Sequence, residues 1–396
     1  MVEAEAPRYP ADRTLRWRRP LVALAGGALA CVGSRVLARM PDLVERVYTG
    51  GIWPLLSRPL SLLTGLLPVA LGELLLVACM LWLTLLFGRA VNDAVRRRRR
   101  WRNALAGGLH RVARDSGIIV MLFYVLWGFN YARPPFAARA GWPAWAGADA
   151  GELAALAAQA VDASNQAYLA IHGTADAGVP TALPADTRAL EAAIDEGWVR
   201  AARLLSLPPI AAAPFGRAKW PWTTLLQRFG ILGAYFPFTA EANLPRGLPA
   251  MSVPATMAHE KAHQRGSTSE AEAGFLGFVA SALAPHPLSR YSAAMSARSQ
   301  LLTGLFAVDP AAARRIGAQL LPGPRRDIAA LRDWFGRYNS FVMAVGSALN
   351  DRYLRANRVR GGTDDYARAA WLLVGFARQH DGALLPQTEG LPAPAR

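Results

Sequence analysis

Three apolar runs within the first 131 residues constrain this chain more than any other feature, because each abuts a cluster of arginines. A membrane helix needs about 20 consecutive apolar residues to cross roughly 30 Å of hydrocarbon. The first run spans about residues 21–37 and follows Arg13, Arg16, Arg18 and Arg19. It reads as an uncleaved anchor in preference to a cleaved signal peptide. The second, about 69–87, is the clearest and is broken only by Glu73. That carboxylate is expected to reach headgroups or line a helix contact, although an ionisable group in a span always raises the question of function. The third, about 117–131, carries Trp127 and Tyr131 as an aromatic belt and stops at Arg133-Pro134-Pro135.

Charge supports the same reading. The chain is strongly basic, 44 Lys+Arg against 28 Asp+Glu, which at first suggests nucleic acid. Residues 1–133, however, hold 19 basic and 8 acidic residues, while the other 263 hold 25 and 20. Positive charge therefore travels with the apolar runs, as in membrane proteins, and nucleic-acid binding is not expected. Arg89, Arg96 to Arg100, Arg102, Arg111 and Arg114 make residues 89–115 a cytoplasmic, lipid-facing loop. The basic N-terminus lies on the same side. Three spans then place the chain after Arg133 outside the cytoplasm, with residues 1–133 as a multi-pass anchor in the bilayer. Both cysteines, Cys31 and Cys79, sit in apolar runs, so neither a disulfide scaffold nor a cysteine-built zinc site is expected.

Residues 134–382 read as a mainly α-helical domain. Apolar spacing predicts helices at 152–171, 186–205, 256–264, 269–284, 288–308, 327–356 and 364–380. The Pro- and Gly-rich stretch 208–254 leaves room for a small β-hairpin or edge strand around Gly233 to Thr239. The tail 383–396 lacks periodicity and is expected to be disordered.

The chemistry is concentrated in His259-Glu260-Lys261-Ala262-His263. On a helix, positions i and i+4 share a face, so both imidazoles can reach one metal ion. Glu260 then stands where its carboxylate can activate a zinc-bound water as general base. With 6 histidines in 396 residues, composition alone would produce this pattern roughly 0.003 times. A zinc site needs a third protein ligand and one open position. Gly266 can break the helix, Ser269 can cap the next one, and Glu270 or Glu272 can return to the metal; Glu270 is preferred.

These residues carry a resemblance. HExxH followed by a Glu and a small residue looks like the gluzincin zinc peptidases. More closely, the chain resembles a family of bacterial membrane proteins known as the domain of unknown function 3810 family. The matching features are Trp127-Gly128-Phe129-Asn130-Tyr131, the strip Gly233 to Asn243, HEKAHQRG, EAEAGF, Arg290-Tyr291-Ser292 and Asn350 to Leu354. The resemblance implies a zincin-like domain on the outer face of the bacterial inner membrane. Lys261 departs from it by putting a charge where the motif ordinarily has none; turned to solvent, it would leave zinc undisturbed. Gly274 stands where the family usually has Asn and related membrane peptidases have Asp, a position that helps orient the ligands.

The expectation is a membrane-anchored zinc hydrolase, a peptidase acting on a peptide or protein substrate with one Zn2+ per chain. His259, His263 and Glu270 would bind the metal and Glu260 would act as base. The alternative is a catalytically silent, zinc-stabilised sensor or scaffold, for which Lys261 and Gly274 speak. Tyr235, Tyr291 and Tyr353 are oxyanion candidates, though packed tyrosines are the simpler expectation. Glu241, Asp351 and Glu272 are candidates to support the ligands or to be ordinary capping carboxylates. His110, His172, His286 and His380 have no assigned role.

Overall fold

The computed structural model describes residues 13–96, 101–143, 147–338, 348, 352 and 369–386. Its N-terminal part is built from helices α1 (Arg13–Leu37), α2 (Trp53–Gly65), α3 (Leu71–Arg96) and α4 (Trp101–Leu126), with a π-helical stretch at Val44–Ile52. Among the described residues, two segments are long and apolar enough to cross a membrane: Arg18–Leu37 in α1 and Leu71–Arg89 in α3. Few of their residues are buried, 17% and 6% of the respective windows, so neither is a soluble-core helix.

The expected third span is corrected. Its helix ends at Leu126, and Gly128–Ala132 forms a 3-10 turn. Only residues 117–126 are both apolar and α-helical, about 15 Å of rise. The helix that carries them starts at Trp101, inside the stretch expected to be a basic loop. Residues 89–96 and 101–115 are likewise helical, and Arg97 to Arg100 lie outside the described residues.

Helices α1 and α4 lie side by side and run parallel. Gly27 abuts Gly117, where an added Cβ would stand 2.9 Å from the Gly117 carbonyl oxygen; Gly26 meets Met121 and Gly33 meets Phe129. Both sets of numbers rise together, which fixes the direction. Small residues permit this backbone approach. Leu74, Leu75, Met80 and Leu81 of α3 and Ile118, Ile119 and Leu122 of α4 remain exposed.

The rest is a helical domain: α5 (Ala150–His172), α6 (Thr187–Leu204), α7 (Val253–Gln264), α8 (Glu270–Leu283), α9 (Pro287–Val308), α10 (Pro310–Gly317), α11 (Pro322–Tyr338) and α12 (Ala369–Arg378). Asp149 and Glu152 form a capping box on α5, and Asp186 caps α6. The hydrophobic core packs α8 between α6, α7, α9 and α12, with Trp198, Phe275, Phe278 and Phe376 buried in it. Strands β1 (Ala234–Phe236) and β2 (Glu241–Asn243) pair antiparallel, Tyr235 opposite Ala242, and form the small hairpin expected there. Lys219 bridges to the far side of β2, leaving the other edge of β1 toward α7.

The tail departs from expectation at its start. Leu384 is fully buried, and its backbone N–H donates to Gln159 Oε1 while Gln159 Nε2 donates to the Gly382 carbonyl. Residues 387–396, Asp351 and Tyr353 lie outside the described residues. A boundary at Arg133 also proves too simple, because residues 44–65 pack on the helical domain. Ser61 Oγ accepts from Gly216 N and Gln264 Nε2, and Thr64 Oγ1 donates to the Thr239 carbonyl.

Candidate metal centre

Helix α7 presents His259 and His263 one turn apart on one face. Proline at its start removes no needed hydrogen bond, and buried Met257, Ala258 and Ala262 seat it in the core. After Gln264 the chain reverses at Gly266, whose φ of +88° only glycine adopts without strain. An added Cβ there would also stand 3.0 Å from the Trp53 ring. The reversal brings the Ser267 carbonyl to His263 Nδ1, 2.6 Å away, which fixes that nitrogen as donor and leaves Nε2 to face the site. Ser269 Oγ then caps α8 by accepting from Glu272 N, and Glu270 enters in the first helical turn.

The result is a tight triangle. His259 Nε2 lies 3.1 Å from His263 Nε2 and 3.1 Å from Glu270 Oε2, and His263 Nε2 lies 3.8 Å from the same oxygen. Ligand atoms about 2.0–2.1 Å from one tetrahedral zinc are separated by about 3.3 Å, so this donor set and spacing suit zinc. Without a cation the carboxylate holds a proton on His263. Burial works against charge on His263, but the hydrogen bond and charge of Glu270, with that of Glu260, carry its pKa up to about 9. Burial likewise opposes ionisation of Glu270, yet both histidines hold its carboxyl far below the ordinary range. A divalent cation entering here must displace the His263 proton.

Glu260 is almost fully buried, and burial raises its pKa despite the nearby histidines and the Tyr235 backbone N–H that donates to it. It shares a cavity of about 670 Å³ with His259, His263 and Glu270. The strip from Phe229 to Tyr235 forms one wall of that cavity.

Several sequence candidates take other positions. Glu272 turns away from the triangle and accepts from Phe136 N and Arg139 Nη2, at 2.7 and 2.6 Å. Glu241 caps α3, accepting from Leu71 N and Gly72 N at 3.1 and 2.8 Å. Glu73 ties the same helix to the domain by accepting from Trp222 N and Thr223 N, at 2.8 and 2.6 Å. Tyr291 is a core residue whose hydroxyl donates to Asp327. Tyr235 lies in β1 with its ring tilted against Trp127, 4.7 Å between centroids, and its buried hydroxyl has no hydrogen-bond partner. Burial drives the Tyr235 pKa well above the ordinary phenol range.

Lys261 is not turned to solvent. Two residues along a helix is about 200° of rotation, so it leaves the metal face altogether. It is wholly buried against α6, with Nζ 3.0 Å from Glu191 Oε1 and 2.9 Å from Asp195 Oδ1. Gly274, one turn after Glu270 on α8, lines the cavity and supplies no side-chain partner to the ligands.

Residues that carried no ligand-like signal also build the site. Trp127, at the end of α4, packs edge-on against His263 at 6.2 Å. Arg133 donates from Nε and Nη2 to Glu45 and from Nη1 to the Gly266 carbonyl at 2.7 Å, clamping the turn between α7 and α8 to the juxtamembrane segment. The motif Trp127 to Tyr131 pointed to this wall as a span terminus only, because contact with His263 arises across 136 residues of sequence.

The chain belongs to the family described as Protein of unknown function (DUF3810), whose match covers residues 48–374, well over half of the sequence. No curated protein and no solved structure matches it.

Proposed function

We propose that this family member is a membrane-anchored, zinc-dependent hydrolase, and specifically a metallopeptidase. The observation that carries the reading is the convergence of His259, His263 and Glu270 beside buried Glu260 in one cavity. Zinc held by those three side chains would supply Lewis acidity and make water nucleophilic near neutral pH. Glu260 takes the proton from the attacking water and passes it to the leaving amine; its raised pKa suits both transfers. The Tyr235 N–H holds the Glu260 carboxylate in place, and the Ser267 carbonyl holds the His263 ring. The wall from Gly233 to Tyr235, whose outer strand edge is free of β2, is suited to main-chain pairing with an extended peptide.

The side of the membrane belongs to the same proposal. Residues 44–65, which join the two candidate spans, pack on the helical domain. With the arginines at the start of α1 and at the end of α3 favouring the cytoplasm, that joining segment and the domain packed on it would lie outside it.

The silent-scaffold alternative loses one of its two supports, since Lys261 faces α6 and not the metal. The test uses the full chain in detergent. About one zinc per chain is expected in the wild type and in Glu260→Gln, but not in His263→Ala. Peptide hydrolysis is expected in the wild type alone. Zinc with unchanged cleavage in Glu260→Gln would overturn the catalytic assignment, and no zinc in the wild type would overturn the metal.

A further inference from the structure

The cavity that holds the metal-ligand triangle also contains a cation that no described residue neutralises. Arg298, on α9, lines the cavity, and its Nε is buried with no hydrogen-bond partner. No carboxylate among the described residues pairs with its guanidinium. The charged or ionisable groups that act on it are the Tyr291 hydroxyl and the cationic Arg332. Nearby on the same helix, Gln300 lines the cavity too. Its Nε2 donates to Ser296 Oγ, while its Oε1 is a buried acceptor that receives no donor.

Apolar Met251, Leu331 and Phe335 line the same cavity, together with Ser296 and Ser299. Desolvating a guanidinium there is costly unless an anion joins it. A planar five-donor fork suits a carboxylate, which accepts two parallel N–H bonds. Gln300 lies two positions along α9, about 200° around it, and offers its orphan amide oxygen to an N–H donor from the other flank of that helix. A carboxylate and an N–H carried on one chain with apolar side chains describe a peptide.

We propose that Arg298 forms a substrate subsite for a peptide carboxylate, with Gln300 accepting from a backbone N–H of the same peptide. The chain acted on would then be held by a negatively charged residue or by its C-terminus while the scissile bond lies at the metal. This rests on the metallopeptidase reading given above. The apolar residues that line the same cavity suit uncharged side chains. A phosphate headgroup would satisfy the guanidinium but offers Gln300 no donor.

The test separates this subsite from the metal it depends on. The probes are mercaptoacyl peptides of one to three apolar residues, carrying a zinc-binding thiol at one end. The other end is a free carboxylate, a C-terminal amide, or a C-terminal amide following a glutamate. They are titrated into the zinc-loaded full chain in detergent. The free-carboxylate probe of fitting length is expected to bind wild type about 10- to 100-fold tighter than its amide. That preference should vanish in Arg298→Gln and partly return in Arg298→Lys, with zinc content unchanged. Recovery of affinity by the glutamate probe would assign the subsite to an acidic side chain, and failure to recover would assign it to the C-terminus. Equal binding of acid and amide probes through the thiol would overturn the subsite while leaving the metal centre standing. No zinc and no thiol binding in wild type would overturn the metal centre and the subsite together.

Discussion

At the scale of single residues, the charge inside the helix of the two candidate histidine ligands is the informative case. Lys261 falls between the two histidines in sequence and points to the opposite side of α7 in space. There it is buried against Glu191 and Asp195, and Asp195 is also 3.5 Å from Arg265 Nη2. Removing one member of a buried ion pair strands the others, a loss of about 3–5 kcal/mol that Asp195's partial exposure to water reduces. Lys261→Met should therefore destabilise the protein by about 3 kcal/mol while leaving zinc stoichiometry intact. Thermal unfolding beside metal analysis checks both halves. A variant that kept its stability but lost zinc would show that Lys261 acts on the metal after all. Gly266 gives a second prediction. Gly266→Ala forces a side chain into left-handed backbone and against Trp53, costing about 1–2 kcal/mol. It also moves the Ser267 carbonyl that holds His263, so zinc should be lost to a chelator faster than from wild type.

At the scale of elements, the metal helices and the membrane helices are fastened to each other. Glu241 caps α3, and Lys219 Nζ donates to the carbonyls of Thr64 and Leu67 at the end of α2. Glu45 and Arg133 join the π-helical stretch to the turn between α7 and α8. Burial opposes ionisation of Glu45, but Arg133, hydrogen-bonded to it, and the nearby Arg139 hold its pKa below the ordinary 4.5. A depressed carboxyl stabilises the fold above its ordinary pKa, and that stabilisation is lost as pH falls through the folded value. The clamp should thus be intact at neutral pH and weaken progressively below about 4.5. Hydrogen exchange at residues 44–52, followed from pH 6 to pH 3 at matched intrinsic rates, should show this loss of protection. Glu45→Gln should be loosened at every pH and lack the acid transition. An unchanged wild-type profile in that variant would remove Glu45 from the clamp.

At the scale of the whole molecule, the proposed placement of the helical domain outside the cytoplasm is tested by where single cysteines can be labelled. A version with Cys31 and Cys79 replaced by alanine gives a clean background for single cysteines. One at Thr174, on the exposed loop after α5, should react with a membrane-impermeant maleimide in intact cells. One at Gly107, in α4 near the arginine cluster, should react only after permeabilisation. The reverse pattern would place the domain inside.

Much of the architecture was legible from local chemistry. Helical periodicity located α5 to α9, and Asp186 and Ser269 marked their helix starts, because capping and amphipathic patterns act within a few residues. His259, Glu260 and His263 were legible for the same reason: one helical turn sets their spacing. The sequence favoured Glu270 over Glu272 as the carboxylate of the triangle but could not give the reason that separates them. Both lie in the first turn of α8, and the entry angle fixed by Gly266 and the pull of Arg139 on Glu272 separate them. It likewise could not show that Glu73 and Glu241 fasten α3 to the domain, or that Trp127 walls the metal site. Those partners are more than a hundred residues apart in sequence, and only the packed chain brings them together.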